Sequence, residues 1–480
     1  MSLTNSENDS IPETSVPKAS ADAATQPASA SVAASGTAPE TAPESDLKQF
    51  FRYVLPTMLF MFVCGLYNIM DGIFVGKATG ETGLAACLLT FPLYCFVFGL
   101  GDMIGCGAAI LIAKHRGEER LDLANRIFSG VFGMVLILCV GMLGLYAFWG
   151  TALLRLFGAT PTLLPLSAKY FGIVLAGSFP MLLWLCLASI MRSDDQPTLS
   201  SGLMVVGAVG NIFLDYLFVM VFGWGVPGAA IATIVAEAIT LALGLPYFFS
   251  KKCHLTFHFS EMFPTLPDAL RVLKCGIPSL GAQSAIAIML LCHNLQALKW
   301  GGQSALAAYA AISMIESLGS MLTQGVASGL QPLVSYYYGA MDFVRNRRFL
   351  KYGLLFSFLL GLLGLSFSLL ACHTIPGFMG LTGEAASIAT HGLLISAPAF
   401  LAMGLVKVGS HYYQATGRIT ASSVLIYGDC LILPLLLFLL PLAFHLDGVW
   451  MAMPVSRFLL LGILIIMGFL PCCRLPQAKE

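Results

Sequence analysis

This sequence predicts an all-α polytopic membrane protein: twelve transmembrane helices in two six-helix lobes related by a pseudo-two-fold axis along the membrane normal. Three observations carry the prediction. Of 480 residues, 57% are hydrophobic and only 10% charged, whereas soluble chains carry about a quarter charged residues. The apolar residues gather into runs of about 20 or more, enough to cross a hydrocarbon core of roughly 30 Å. The second half of the chain also repeats the first at an offset of 222 positions. Closed β-barrels would need short alternating segments, which this sequence lacks.

Residues 1–46 are rich in Ala, Ser, Thr and Pro, with seven acids against one base, Lys18. Such a stretch cannot bury enough surface to offset its ordering entropy, so a disordered tail is expected. From Phe50 onward, helices are predicted at about 50–75, 83–112, 123–149, 162–191, 198–222 and 227–249. The second set follows at about 270–298, 304–335, 349–371, 386–415, 420–443 and 449–470. The first lobe is then 47–250, the joint 251–268, the second lobe 269–471 and the end 472–480. Gly99, Gly101, Gly105 and Gly107 let the second helix approach a neighbour closely.

Lys and Arg in the joints orient the bundle. If the N-terminus lies inside, the inner joints and termini hold eighteen bases, including Lys114, Arg116, Arg192, Lys251, Arg345 and Arg348; the outer joints hold Lys77, Arg155, Lys169 and Lys299. Both ends are therefore expected in the cytoplasm, with the chain a multi-pass protein of the plasma or inner membrane.

The repeat is visible in particular residues. Pro56 maps onto Pro278, Leu84-Ala85-Ala86 onto Leu306-Ala307-Ala308, and Gly107, Leu111 and Gly117 onto Gly329, Leu333 and Gly339. Near the end Gly228 matches Gly448 at 220, a slip of two residues. Six helices per half is an even number, so both copies enter the membrane in the same sense. Halves so related characterise transporters that rock about a site between them.

Several function classes are excluded or unsupported. Net charge is zero, against the basic excess of a nucleic-acid binder. There is no GxxxxGK[ST] phosphate loop, HExxH or GxSxG, so ATP-driven transport and intramembrane hydrolysis lack their signatures and an enzyme is not expected. The thirteen cysteines include no CxxC spacing and sit mainly in apolar runs, as small polarizable fillers. Cys472 and Cys473 lie at a membrane edge, where acylation is a further reading.

Ionisable groups inside a bilayer are functional candidates by default. They are Asp71, Asp102, Asp215, Glu237, Glu316, Lys407, Asp429 and Arg457. Asp71 closes the first helix, and Asp215 lies on the fifth, four residues after Asn211 and so on the same helix face. Two carboxylates and an amide in an apolar setting suit a proton or a sodium ion, because a hard cation is satisfied by oxygen ligands. The alternative is structural: Asp71 capping a joint beside Gly72, and Asp215 bonded to backbone or Asn. In the second lobe, His293 stands at the Asp71 position and Leu437 at that of Asp215. A satisfied ion-pair network is one reading of that lobe's charges; a Glu316 facing cationic substrates is the other. Glu316, Gln283, His293 and Lys407 are assigned to the substrate cavity.

These residues resemble the multidrug and toxic compound extrusion (MATE) transporters over essentially 47–470. The resemblance rests on Tyr67-Asn68-Ile69-Met70-Asp71-Gly72-Ile73-Phe74-Val75-Gly76 with Leu84-Ala85-Ala86, and on Met191-Arg192-Ser193-Asp194-Asp195-Gln196-Pro197. It continues in Asn211-Ile212-Phe213-Leu214-Asp215, Gly223-Trp224-Gly225-Val226-Pro227-Gly228-Ala229-Ala230, and Gln324-Gly325 through Gly329-Leu330-Gln331-Pro332 to Gly339-Ala340. By resemblance, Asp71, Asn211, Asp215 and Thr233 are similar to the first-lobe cation or proton site of the DinF-like branch. Pro56 resembles the first-helix proline proposed to bend as that site changes protonation. The acids that NorM-type members carry on the seventh and tenth helices have no counterpart: Ala287 and Met403 stand near those places. Asp195 occupies a position where relatives usually have Gly.

The resemblance implies a secondary antiporter that exports organic, cationic and amphipathic compounds in exchange for H⁺ or Na⁺. A flippase for a lipid-linked precursor is the alternative, and a non-transporting receptor or scaffold a third class. The expected partners are a small-molecule substrate and the lipid bilayer, with no nucleic acid. The expected state is a monomer, with no cofactor beyond the coupling ion.

Overall fold

The computed structural model describes residues 45–469, with the backbone alone at 68, 69, 72, 73, 81 and 84. The expected disorder of residues 1–44, and Cys472 and Cys473, lie outside the described residues. The first helix starts at Asp46, four residues before the expected Phe50 and inside the stretch expected to be a disordered tail. Ser45 is its N-cap, accepting from the Lys48 backbone N–H at 3.3 Å, and Asp46 sits in the first turn paired with Arg345 and Arg348.

All regular elements among the described residues are helical. The helical stretch Asp46–Gly117 has 72 residues, roughly 108 Å if straight, several times a hydrocarbon core. It breaks at Gly80, whose φ of 65° and ψ of −162° no helix accommodates, giving spans 1 (46–79) and 2 (81–117). Gly302 (φ 64°) divides Leu266–Gly339 into spans 7 and 8, and His445 (φ 51°) divides Ile419–Phe469 into spans 11 and 12. Leu121–Leu156 is span 3, and Gly225–Phe248 and Phe343–Ala371 are spans 6 and 9. Span 4 is Leu164–Ala176 bent by 52° into Ser178–Ser193, and span 10 is Gly383–Ser396 bent by 50° into Ala399–Ala415. Span 5, Pro197–Asp215, opens on a proline, whose missing N–H costs nothing in a first turn. It runs on into a π-helical turn, Tyr216–Val221. Among the described residues the spans number twelve.

The internal repeat is written in the backbone. Positive-φ residues recur 222 positions apart: Gly80 and Gly302, Glu119 and Met341, Gly158 and Gly380, Asp195 and Gly417, Gly223 and His445. The two-residue slip therefore falls between 223 and 228, where the first half carries a second left-handed glycine, Gly225, absent from the second half.

The lobes meet through glycines. A Cβ on Gly107 would lie 2.1 Å from the Val272 carbonyl oxygen, and one on its mate Gly329 would lie 2.9 Å from the Tyr53 carbonyl oxygen. Gly117 faces Tyr336 while Gly339 faces Lys114, at 2.1 and 2.0 Å, so the pseudo-axis passes between these two glycines. The four glycines of span 2 serve two neighbours: Gly99 and Gly107 face span 7, whereas Gly101 and Gly105 face Leu182 and Cys186 of span 4. Gly339→Leu is expected to hold the lobes apart at this point. Transport should fall at least tenfold while the purified protein stays monodisperse, and wild-type activity in the variant would refute the tight contact.

Buried clusters locate the join. At the chain-terminal side, Phe50, Tyr53 and Val54 pack with Val326, Leu330 and Tyr337, and Cys106 and Ile110 pack with Cys275. At the opposite side, Val75, Val219, Val226 and Ala229 cluster within the first lobe, while Ala297, Tyr309 and Trp450 cluster within the second. Among the described residues, the cross-lobe clusters thus lie on the terminal side.

The terminal side is also stitched by charge. Arg116 reaches Asp195 at 2.7 Å and Asp194 at 3.6 Å. Tyr53 donates to Asp195 at 2.7 Å and Tyr247 to Asp194 at 2.5 Å. The joint lies along span 3, its His258 N–H donating to Ser129 at 2.9 Å; it occupies 249–265, with span 7 starting at Leu266.

The Asp195 backbone has φ 63°, the left-handed region that favours glycine, which accounts for the glycine usual at this position. Burial pushes the Asp195 carboxyl up, but the Arg116 charge and the Tyr53 hydroxyl outweigh it and hold the group below its ordinary range. Because the folded value is depressed, Asp195 stabilises the protein above its unfolded value of about 4. That contribution is lost as pH falls through the lower folded value. Asp195→Asn is expected to lower the melting midpoint at pH 7, with the difference shrinking as pH falls below about 4. A constant difference across that range would refute the charge account.

Candidate functional site

Span 5 is the element that builds the site. Asn211 and Asp215 lie one turn apart on it, 4% and 1% exposed, and the π-helical turn begins at the next residue. Such turns are frequent at functional positions because they re-aim the side chains around them. Set with its nitrogen toward the carboxylate, the Asn211 amide donates to Asp215 Oδ2 at 2.9 Å and accepts from the Thr233 backbone N–H at 3.3 Å. In the opposite setting Nδ2 lies 3.4 Å from Thr233 Oγ1. The first setting pairs donor with acceptor at both ends and is the physical one. Thr233, on span 6, turns its hydroxyl to the Ala229 carbonyl at 3.1 Å.

Asp71 comes from span 1, within electrostatic reach of Asp215. Asp71 Oδ1 and Asp215 Oδ1 are both buried without a hydrogen-bond partner among the described residues. A buried polar atom left unpaired is costly, and like charges within electrostatic reach of each other add to that cost. A proton shared between them, or a small hard cation accepted by both, removes that cost. Two carboxylates and an amide therefore fit H⁺ or Na⁺.

The structure brings together Asp71, Asn211, Asp215 and Thr233, and adds residues that sequence reasoning missed. Tyr170 of span 4 and Cys87 of span 2 pack against the Val75–Val219–Val226–Ala229 cluster beside the site, and both feel Asp71. Tyr67 and Tyr94 lie within electrostatic reach of both Asp71 and Glu237. A tyrosine hydroxyl in an apolar helix was the available signal. The helix of span 1 runs through Pro56 without a break.

The residues assigned to a substrate cavity do not form one set. Glu316, Lys407 and His293 surround the Asp429–Arg457 pair on the second lobe. Arg457 pairs directly with Asp429, which also accepts from Ser456 at 3.3 Å. The Lys407 ammonium donates to the Ser320 carbonyl and hydroxyl at 2.8 and 2.6 Å. His293 stacks on Tyr309, with ring centroids 4.9 Å apart. Gln283 is elsewhere: it faces Gly99 and Asp102 of the first lobe across the lobe boundary.

The comparisons with known proteins follow the same division of the chain. The MatE family pattern matches twice, over residues 56–217 and 278–438, together more than half of the chain. The chain is 23% identical over 407 residues to the multidrug export protein MepA of Staphylococcus saprophyticus, covering 84% of this chain and 89% of that protein. It is 22% identical over 408 residues to the MepA of Staphylococcus aureus strain NCTC 8325, at the same coverages. Among solved structures, it resembles an outward-facing multidrug resistance MATE family transporter of the MOP superfamily. That match has a TM-score of 0.83 and 23% identity over 88% of this chain and 95% of the other. A MATE crystal structure in the straight conformation gives the same values. With its twelve spans, doubled architecture and twofold family match, the chain belongs to the MatE family of multi-pass membrane transporters.

Proposed function

We propose that this chain is a secondary antiporter of the plasma or inner membrane, with both termini cytoplasmic. It exports organic, cationic and amphipathic compounds in exchange for H⁺ or Na⁺. The carrying observation is the pair of orphaned carboxylate oxygens, Asp71 Oδ1 and Asp215 Oδ1, inside the first lobe, with Asn211 donating to the other oxygen of Asp215 and accepting from the Thr233 N–H. Entry of the coupling ion there changes the charge of the lobe and hence its preferred packing against the second. The joined terminal side corresponds to a state open away from the cytoplasm. Exchange with an inward-open state, with bending at Pro56 as one element of it, completes alternating access. Export of drugs by the MepA relatives supports the substrate class. Both lobes lie in one chain, so a monomer suffices.

The flippase alternative would need free cationic groups for a pyrophosphate. Lys407 is held by Ser320, Arg457 by Asp429 and Arg192 by Ser189, which favours the antiporter. The test is efflux of a fluorescent lipophilic cation from proteoliposomes under an imposed pH gradient, an imposed sodium gradient, or neither. Efflux indifferent to both gradients would refute antiport.

A further inference from the structure

Between the lobes, on the terminal side, lies a polar cavity of about 50 Å³, room for a few waters and nothing larger. The first lobe contributes Asp102, Ser189 and Arg192 to its lining; the second contributes Ser279, Gln324 and His411. The surrounding cross-lobe clusters are apolar, and apolar side chains would seal this gap at lower cost than desolvated polar ones. A polar lining is needed if these surfaces face water during part of the cycle.

Asp102 stands out within this lining. It lies on span 2, one turn after Gly99, where span 7 of the opposite lobe packs with Gln283 beside the helix, and the Gln283 amide stabilises its carboxylate. Arg192, on span 4 of the same lobe, supplies a positive charge across the cavity without a direct ion pair to Asp102 among the described residues. Its guanidinium donates instead to Ser189 at 2.8 Å. With the terminal side closed, Asp102 lies within reach of Gln283 of the far lobe and the cavity excludes any organic molecule. When the lobes part there, Gln283 leaves with the second lobe and the carboxylate is exposed without its partner.

We propose that Asp102 is the inner-face recognition site for the cationic group of the exported compound, available only when the terminal side is open and masked by Gln283 when it closes. This site is separate from the Asp71–Asp215 pair and rests on the exporter reading with cytoplasmic termini. It provides what an exporter requires: capture at the inner face and loss of the site on the way out. Affinity differs between the two states because the Gln283 side chain lies across the moving boundary from Asp102.

The test is uptake of tetraphenylphosphonium by everted membrane vesicles containing the full chain, with tetraphenylborate, of the same shape and opposite charge, as competitor. Asp102→Asn is expected to raise the inner-face KM at least tenfold with kcat within twofold of wild type, and Asp102→Glu to retain most of the affinity. Arg192→Gln removes the opposing positive charge and is expected to lower KM several-fold, a gain that a merely structural lesion would not produce. Unchanged KM values, a fall confined to kcat, or equal competition by tetraphenylborate would overturn the assignment. If Asp102→Asn does not fold, the Arg192→Gln result alone decides. Absence of gradient-driven uptake in the wild type would instead count against the exporter reading.

Discussion

Asp71→Asn and Asp215→Asn are each expected to abolish gradient-driven efflux, at least a hundredfold loss of rate, with yield and monodispersity unchanged. Asn preserves the volume of Asp and can still accept one hydrogen bond, so the packing around Asn211 and Thr233 tolerates it. It cannot take up a proton, and it offers a cation no charge. A ligand biases two conformations only through its different affinity for them. A neutral amide has no ion-dependent free energy to contribute, so the gradient no longer favours either state. Asp215 is the more demanding position, because Asn211 already donates to its Oδ2; an amide nitrogen turned toward that donor would oppose it. The check is efflux from proteoliposomes under fixed gradients, beside passive exchange of labelled substrate without one. Either variant exporting at the wild-type rate would show that coupling lies elsewhere.

The second large effect is expected in the other lobe. Arg457→Leu leaves Asp429 buried without its countercharge and removes a cation whose charge reaches Glu316. Breaking a buried pair from one side costs about 3–5 kcal/mol, whereas replacing both partners with apolar groups is often neutral. The single variant is thus expected to melt far below wild type, and the Arg457→Leu/Asp429→Leu/Glu316→Gln combination to recover most of the loss. If the pair is only packing, the combined variant still exports. A combined variant that folds well but does not transport would instead place the network in the mechanism.

The two carboxylates, their helices and their amide were legible in the chain because charge in oil is rare and therefore conspicuous. Asn211 and Asp215 share a helix face by spacing alone. Glu237 was equally conspicuous, yet only packing brought Tyr67 and Tyr94 within electrostatic reach of both it and Asp71. Gln283 could not be separated from Glu316, His293 and Lys407 by composition: all four are polar residues in apolar helices, and only the lobe boundary divides them. The bends in spans 4 and 10 were also unreadable, since a bent and a straight apolar helix have the same hydropathy.

The membrane class, twelve crossings and the doubled plan followed from the sequence itself, because hydrophobic length and a fixed repeat offset are one-dimensional properties. The tertiary structure alone decided which glycine faces which partner, that the cross-lobe clusters lie on the terminal side, and that Asp102 meets an amide from the opposite lobe. Those are relations between helices distant along the chain. They depend on contacts of a few ångströms, which no local pattern encodes.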